Sequence, residues 1–271
     1  LKLVRIEHGI MLSFATLISL IILNVQLAPI ELLLAFLVPL FLEMGAFALN
    51  DYFDVEADKL NKRMERPLVS GNIEPIVAYK LGIASLVLGS FLAFPLGRAP
   101  FLIAFALAIL SWFYNKRLKD LPLAGNLFIA LTMAMPFIFG AALANESNYI
   151  NDLALLSAFF IGLAREIVKD VEDVEGDVKA RKSKTLPALI GRRPSLLLAL
   201  ASFLVFFGTS TLLLAEFSKN IVSSLLLIAS LFLIAYSMGY VVKDFRLDLV
   251  RKISLAAMAS GLLAILLGVV G

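Results

Sequence analysis

The amino-acid sequence predicts an all-α, polytopic membrane protein, a bundle of nine transmembrane helices. Three observations support this fold class. Of the 271 residues, 61% are hydrophobic and 17% are charged, whereas soluble domains have about 45–50% and about 25%; the mean hydropathy is +0.94. Nine mostly apolar stretches have about the length that a spanning helix needs. Lys and Arg are concentrated in alternate connections between these stretches, as in polytopic membrane proteins.

The nine predicted spans are separated by polar segments or by breaks that contain Pro or Gly. Each span should be a helix, because a backbone surrounded by lipid has to satisfy its own N–H and C=O groups. Pro39 and Pro136 lie inside spans and predict kinks. The first span follows a basic N-terminus, as in a signal peptide, but no cleavage pattern follows it, so we expect a retained helix. The predicted spans are residues 10–28, 30–49, 75–94, 99–114, 122–144, 152–168, 194–217, 220–242 and 250–270.

The distribution of basic residues predicts the orientation of the bundle. Of the 24 Lys and Arg residues, 21 fall in connections on one side, two fall on the other side, and Lys80 lies within the third span. Because positively charged loops are retained in the cytoplasm, we expect a multi-pass protein of the cell membrane. Its N-terminus and its acidic loops should be cytoplasmic, and its C-terminus should be outside.

Two of the predicted cytoplasmic segments, residues 51–74 and 166–177, contain twelve of the 21 acidic residues. Each segment has Asp at positions i, i+3 and i+7, which form one stripe on a helix. These helices would continue the second and sixth spans beyond the membrane. The first stripe is Asp51, Asp54 and Asp58, and the second stripe is Asp170, Asp173 and Asp177.

The two Asp stripes predict a site for divalent cations and a diphosphate. Three carboxylates on one helix face repel one another unless cations lie close to them. Two facing stripes suit Mg²⁺, or Mn²⁺ in its place, because such ions take oxygen ligands and share them between protein carboxylates and a substrate phosphate. The alternative is that these residues are solvated loop charges that fix the topology. Basic residues that follow the stripes would neutralise the phosphates: Arg63, Arg66, Lys179, Arg181, Lys182 and Lys184.

The stripes also indicate an internal repeat within a single domain of residues 1–271. Asp51 and Asp170 are 119 residues apart, and each stripe is followed by a basic residue and a Pro. We therefore expect two halves, at about 1–118 and 119–242, related by an axis along the membrane normal, and a ninth helix at 250–270. The diphosphate site would lie between the two halves.

Three further polar residues are candidates for contact with a substrate. Glu43 lies deep in the second span, seven residues before Asn50, and would contact the acceptor, act as a base or be a buried hydrogen-bonding group. His8 would accept a proton, since imidazole titrates near neutral pH, or anchor the first helix at the membrane surface. Asn126 would contact the substrate or bridge two helices.

The composition excludes several classes of function. Without Cys the chain has no disulfide, zinc–thiolate site, iron–sulfur cluster or thiol nucleophile. A single His excludes a His-rich metal site, and a net charge of +3 is too small to indicate binding to nucleic acid. A divalent-cation transporter is the alternative from another class, although transporter sites lie near the midplane of the membrane rather than at its surface.

The segment around the first stripe resembles the first motif of the UbiA superfamily of intramembrane prenyltransferases. The matching residues are Asn50-Asp51-x-x-Asp54-x-x-x-Asp58 and then Arg66-Pro67-x-x-Ser70-Gly71. The second stripe is similar to the second motif of the superfamily. Residues 114–119 and 122–126 resemble its third cytoplasmic segment, in which Tyr114 and Lys119 would approach the diphosphate. The superfamily often has Arg-Pro-x-Asn near the N-terminus. In this chain Arg5 matches the Arg of that pattern, whereas His8 stands where the pattern has Asn.

This resemblance implies an enzyme that moves an isoprenyl group from a diphosphate donor to a lipid-phase or interfacial acceptor. Mg²⁺ and basic side chains would neutralise the leaving diphosphate, and the acceptor would attack C1 of the allylic cation. Residues 165–177 are most similar to the archaeal members that transfer a geranylgeranyl group from geranylgeranyl diphosphate to geranylgeranylglyceryl phosphate, which forms the second ether bond of archaeal membrane lipids. Prenylation of an aromatic acceptor is the nearest alternative.

The chemistry of the residues and the resemblance together assign roles to individual residues in three groups that overlap. The catalytic group is Asp54, Asp58, Tyr114, Lys119, Asp173 and Asp177. The substrate-binding group is Arg5, His8, Glu43, Asn50, Arg63, Arg66, Lys119, Asn126 and Lys184. The metal-binding group is Asn50, Asp51, Asp54, Asp58, Asp170, Asp173 and Asp177.

Overall fold

The structure, a computed structural model, describes residues 2–60, 63–181 and 184–271, without the side chains of residues 60, 175–177, 180 and 181. The described residues form helices and contain no strand. The helices are α1 (Ile6–Ile22), α2 (Pro29–Leu60), α3 (Pro75–Leu92), α4 (Arg98–Lys116), α5 (Ala124–Ala144), α6 (Tyr149–Arg181), α7 (Leu186–Ile190), α8 (Arg192–Glu216), α9 (Ile221–Val242) and α10 (Leu247–Val270).

The predicted all-α fold is confirmed, and the count of nine helices needs a small correction. Each predicted span corresponds to one long helix, and the additional helix is α7, which has only five residues. Among the described residues, seven helices are long and apolar enough to cross a membrane: α2, α3, α4, α5, α8, α9 and α10. Helix α1 is apolar but has 17 residues, and the apolar part of α6 is bounded by charges at Asp152, Arg165 and Glu166. The chain is a multi-pass membrane protein.

Helices α2 and α6 are the two longest, with 32 and 33 residues. Both continue past their apolar parts and carry the two Asp stripes, as the spacing of the Asp residues predicts. Helix α2 runs through Pro39 and α5 runs through Pro136 without a break. The backbone of both stripes is thus helical, so the described Asp side chains are positioned by helix geometry rather than by a loop.

The outer surface of the bundle is apolar, and its interior is packed closely. Phe91, Phe94 and Phe232 are each about two-thirds exposed, as expected for side chains that face lipid. Phe203 is fully buried in the core that α6, α8, α9 and α10 share. Small residues allow close approach elsewhere: Gly45 of α2 lies against Gly82 of α3, an arrangement typical of membrane helices.

Candidate active site

A cavity of about 570 Å³ lies inside the bundle and is lined by residues of α1, α2, α4, α5, α6, α8, α9 and α10. This volume is within the range of small-molecule sites, about 300–1,000 Å³. Asp residues of both stripes and nearby basic residues line one end, which we call the charged end: Arg5, Asp54, Arg63, Arg66, Lys119, Asp170 and Asp173. Apolar side chains line the interior, among them Phe137, Leu213, Leu227 and Ile265. The cavity can therefore accept an amphiphilic anion, with its charge at one end and its hydrocarbon chain inside the bundle.

Two Asp residues of the first stripe are buried in ion pairs with basic residues. Asp51 Oδ1 lies 2.6 Å from Arg66 Nη1 and 3.1 Å from Arg5 Nη2. Asp58 Oδ2 lies 2.9 Å from the same Arg66 nitrogen, and Asp58 Oδ1 lies 3.4 Å from Arg63 Nη1. Both carboxylates are only 2% exposed. Burial lowers the pKa of the Arg5 guanidinium, and the Asp51 carboxylate opposes this shift. These carboxylates are therefore compensated by protein cations.

The chain after α2 folds back and brings Arg63 and Arg66 to the stripe. The Arg63 N–H donates to the Asp58 carbonyl at 3.0 Å, and the Arg66 N–H donates to the Arg63 carbonyl at 3.1 Å. The turn ends at Gly71, whose φ of +77° is a conformation that side chains disfavour. This local folding explains why the basic residues follow the stripe at a short interval in the sequence.

The middle residue of the first stripe has a different environment, since Asp54 lines the cavity. Its Oδ1 lies 2.5 Å from Lys119 Nζ. Lys119 comes from a short 3-10 turn, Leu118–Asp120, between α4 and α5. The two residues therefore join the end of α2 to the α4–α5 connection at the charged end of the cavity.

The second stripe faces the same cavity through Asp170 and Asp173. Asp170 Oδ2 accepts a hydrogen bond of 2.8 Å from Asn126 Nδ2. Asp173 Oδ1 lies 4.0 Å from Arg63 Nη2, while the other end of that guanidinium is near Asp58. Arg63 thus bridges the two stripes. The side chain of Asp177, the third residue of this stripe, lies outside the described residues.

The other predicted residues of the cavity wall are held by helix contacts. Tyr114 is 9% exposed and stacks on Phe128 with 4.8 Å between ring centroids. Asn50 Nδ2 donates to Asn115 Oδ1 at 3.1 Å. Glu43 also lines the cavity, seven residues before Asn50 on α2. The described structure gives His8 Nδ1 no hydrogen-bond partner, although the atom is buried.

Three predicted site residues do not line the cavity as the structure describes it: Asp51, Asp58 and Lys184. Asp51 and Asp58 lie beneath the wall because their Arg partners cover them, and Lys184 is exposed. Within the described ranges, no group of three or more His, Cys, Asp or Glu side chains is arranged to hold a metal ion by itself.

The cavity also includes charged residues that sequence reasoning did not select: Arg165, Glu166, Lys169 and Arg251. Glu166 Oε1 lies 2.6 Å from Lys169 Nζ, and Arg251 Nη1 lies 3.0 Å from Glu172 Oε2. A signal existed for Arg165 and Glu166, since charges at the end of an apolar span are costly and usually face a cavity. The same signal existed for Arg251, which lies at the start of the predicted span 250–270.

The helix bundle encloses a cavity that has paired acidic and basic residues at one end and apolar walls inside. This arrangement is that of an intramembrane enzyme for amphiphilic anions. The chain belongs to the UbiA prenyltransferase family, whose family model matches residues 11–268. The protein is a prenyltransferase and not a cation transporter. The resemblance of the two Asp motifs to this superfamily is thereby confirmed.

The relatives and the solved structures support this membership over the whole chain. The chain is 36% identical to the digeranylgeranylglyceryl phosphate synthase of Archaeoglobus fulgidus, covering 98% of this chain and 93% of that protein. A solved structure of a digeranylgeranylglyceryl phosphate synthase in membranes has a TM-score of 0.76 and 29% identity, covering 100% of this chain and 97% of that one. The structure of a UbiA homolog from Archaeoglobus fulgidus bound to GPP and Mg²⁺ has a TM-score of 0.69 and 21% identity. The match covers 97% of this chain and 99% of that one.

Proposed function

We propose that the protein transfers a geranylgeranyl group from geranylgeranyl diphosphate to geranylgeranylglyceryl phosphate in a reaction that requires Mg²⁺. This reaction would form the second ether bond of archaeal membrane lipids. The observation that carries the proposal is the single cavity that joins the charged end, with Asp54, Lys119, Asp170 and Asp173, to an apolar interior. The name of the Archaeoglobus fulgidus relative supports the choice of acceptor.

The charged end suits the diphosphate of the donor. Lys119 and Arg63 both line the cavity and would donate charge-assisted hydrogen bonds to phosphate oxygens. In the structure these cations are held by Asp54, Asp58 and Asp173, so they are already oriented before a substrate enters. The hydrocarbon chain would extend along the apolar walls, which exclude water from a carbocation.

The donor set at the charged end fits Mg²⁺. The available ligands are oxygens of Asp54, Asp170, Asp173 and Asn50, and Mg²⁺ takes oxygen ligands. It keeps several waters and normally shares one or two carboxylates with substrate phosphates, so a dedicated cage of protein carboxylates is not needed. When bound, the ion would neutralise part of the diphosphate charge and improve it as a leaving group. The Archaeoglobus fulgidus homolog bound to GPP and Mg²⁺ supports this cofactor.

In the proposed reaction the bond between C1 of the geranylgeranyl group and the diphosphate oxygen breaks, and the electron pair leaves with the diphosphate. The acceptor hydroxyl oxygen forms the new bond to C1 and loses its proton, which the released diphosphate or water takes up. Lys119 and Arg63 would stabilise the charge that develops on the leaving group. Tyr114, stacked on Phe128 at the cavity wall, would help to position the reacting end of the donor.

The proposal is tested with purified protein in liposomes, labelled geranylgeranyl diphosphate and a panel of acceptors. We expect label to appear in the product of geranylgeranylglyceryl phosphate, and the signal to be abolished by excess EDTA and restored by Mg²⁺. Transfer to 4-hydroxybenzoate or to a naphthoate, with none to the glyceryl phosphate, would contradict the acceptor. Full activity in EDTA would contradict the metal requirement.

A further inference from the structure

Arg165 is a cation on the cavity wall, and its hydrogen bonds within the described structure are to neutral groups. Its Nε donates to Ser254 Oγ at 2.9 Å, and its Nη2 donates to the Arg251 carbonyl at 3.3 Å. Its Nη1 lies 3.8 Å from Met258 Sδ. Throughout the described part of the chain, no carboxylate lies within the 4.0 Å of an ion pair with Arg165. The adjacent Glu166 is bound to Lys169 instead.

Such a cation is unfavourable unless an anion joins it. Arg165 is half-buried at the end of the apolar part of α6, where a charge that no described carboxylate contacts is costly. A guanidinium has five N–H donors, and three of its hydrogens are used in the contacts with α10. The remaining donors are held in a fixed orientation beside the cavity, which is the arrangement needed to bind a planar or tetrahedral oxyanion.

Arg251 provides a second cation next to Arg165. Its carbonyl accepts the hydrogen bond from Arg165, and its own side chain lines the same cavity. The guanidinium is 39% exposed and contacts Glu172 through Nη1 only. The two arginines therefore form a basic pair at the contact of α6 and α10.

This pair is separate from the basic residues of the first Asp stripe. Arg5, Arg63, Arg66 and Lys119 each contact an Asp of α2. Arg165 and Arg251 are anchored to α10 and α6. The cavity thus has two sets of cations on different helices, and the proposed reaction brings two phosphate-bearing substrates to it.

We propose that Arg165, with Arg251 beside it, binds the phosphate of the acceptor. This inference rests on the proposed function, because an aromatic acceptor has no phosphate. The position near the end of the apolar part of α6 suits an amphiphile, whose phosphate would stay at the membrane surface while its isoprenyl chain lies in the apolar part. The alternative is that Arg165 only tethers α6 to α10.

The test compares two acceptors that differ in the phosphate: geranylgeranylglyceryl phosphate and geranylgeranylglycerol. For Arg165→Gln, we expect kcat/KM with the phosphate acceptor to fall at least about tenfold, as for the loss of a charged hydrogen bond. With the phosphate-free acceptor kcat/KM should be unchanged, as should KM for the donor. Arg165→Lys should recover part of the loss. Lys252→Gln, which removes an exposed charge next to Arg251, is the matched control and should affect neither acceptor.

Each other outcome overturns the inference in a distinguishable way. Equal losses with both acceptors would mean that Arg165 acts as a tether, or that it binds the phosphate of a membrane lipid. A rise in KM for the donor alone would assign Arg165 to the diphosphate. If the wild-type protein prenylates neither acceptor, the proposed function fails and the inference fails with it.

Discussion

Individual residues of one motif have different environments in this protein. Asp51, Asp54 and Asp58 have the spacing of a single stripe, but Asp51 and Asp58 are buried under Arg66 while Asp54 lines the cavity. A buried carboxylate fixes the position of its paired cation, because breaking the pair would leave an uncompensated buried charge. Asp54 and its partner Lys119 line the cavity, where a substrate would contact the pair. The motif therefore combines residues that shape the site with a residue that faces it.

At this scale, we predict that Asp54→Asn and Asp173→Asn each lower kcat at least about a hundredfold. Each removes a charge that orients the cations or the metal ion at the leaving diphosphate, and the loss of one such group costs about this much. The measurement is turnover of labelled geranylgeranyl diphosphate at saturating Mg²⁺. Asp248→Asn, an exposed residue in the first turn of α10, is the control and should retain full activity. Wild-type turnover by Asp54→Asn would remove this carboxylate from the mechanism.

The sequence predicts the two Asp stripes but not the partners of the individual Asp residues. The i, i+3, i+7 spacing is a local property of a helix, so it predicts a stripe on α2 and on α6 directly. The pairing of Asp54 with Lys119 or of Arg165 with Ser254 depends on contacts across 65 and 89 residues. No local pattern contains that information. The roles assigned to Arg5, His8 and Glu43 stay predictions, and the ion pair of Arg5 with Asp51 adds a structural function to the first of them.

Helices were easier to predict than their contacts. A run of about 20 apolar residues indicates a spanning helix whatever its neighbours, so each long helix was found. Helix α7 was missed because five residues are too few to produce a periodic signal. The close packing of α2 on α3 was also not predicted, since Gly45 and Gly82 are separated by a long connection.

At the scale of helix packing, we predict that Gly45→Ala destabilises the protein by about 1–3 kcal/mol, the usual cost of overfilling a packed site. An alanine methyl group at this position would lie 2.8 Å from the Gly82 carbonyl oxygen and from a Leu86 side-chain carbon. The backbone of α3 would have to move to relieve the contact. The measurement is thermal unfolding in detergent.

The control for this prediction is Gly208→Ala on α8, where an added methyl group has no neighbour within 4 Å. Because Ala favours a helix over Gly by about 1 kcal/mol, this variant should be as stable as the wild type or slightly more stable. Similar unfolding temperatures for the two variants would show that the α2–α3 contact can relax without cost.

The whole molecule places a charged environment and an apolar environment in one cavity. The apolar interior of the bundle and the charged end meet in one cavity, so a hydrocarbon chain and a diphosphate can be held at the same time. The charge distribution along the sequence predicts which side of the membrane the charged end faces. The internal repeat of residues 1–118 and 119–242 stays a prediction of the same kind, because it concerns the relation between halves rather than any one contact.

At the molecular scale, we predict that the charged end faces the cytoplasm. The basis is the 21 Lys and Arg residues on that side against two on the other, a difference that the insertion machinery reads as orientation. The chain contains no Cys, so a single introduced Cys is the only thiol that a maleimide can label. Met64 follows α2 at the charged end and is 63% exposed, and Glu146 is exposed in the connection of α5 and α6. The two single-Cys variants are therefore Met64→Cys and Glu146→Cys.

In intact cells an impermeant maleimide should label Glu146→Cys and not Met64→Cys. After the membrane is permeabilised, it should label both, which controls for the reactivity of each thiol. The reverse pattern in intact cells would mean that the substrates enter from outside, and the water-soluble diphosphate would then have to be supplied there. Because isoprenyl diphosphates bear charges that do not cross an apolar bilayer unaided, the side on which Met64→Cys reacts also determines which compartment must supply the donor.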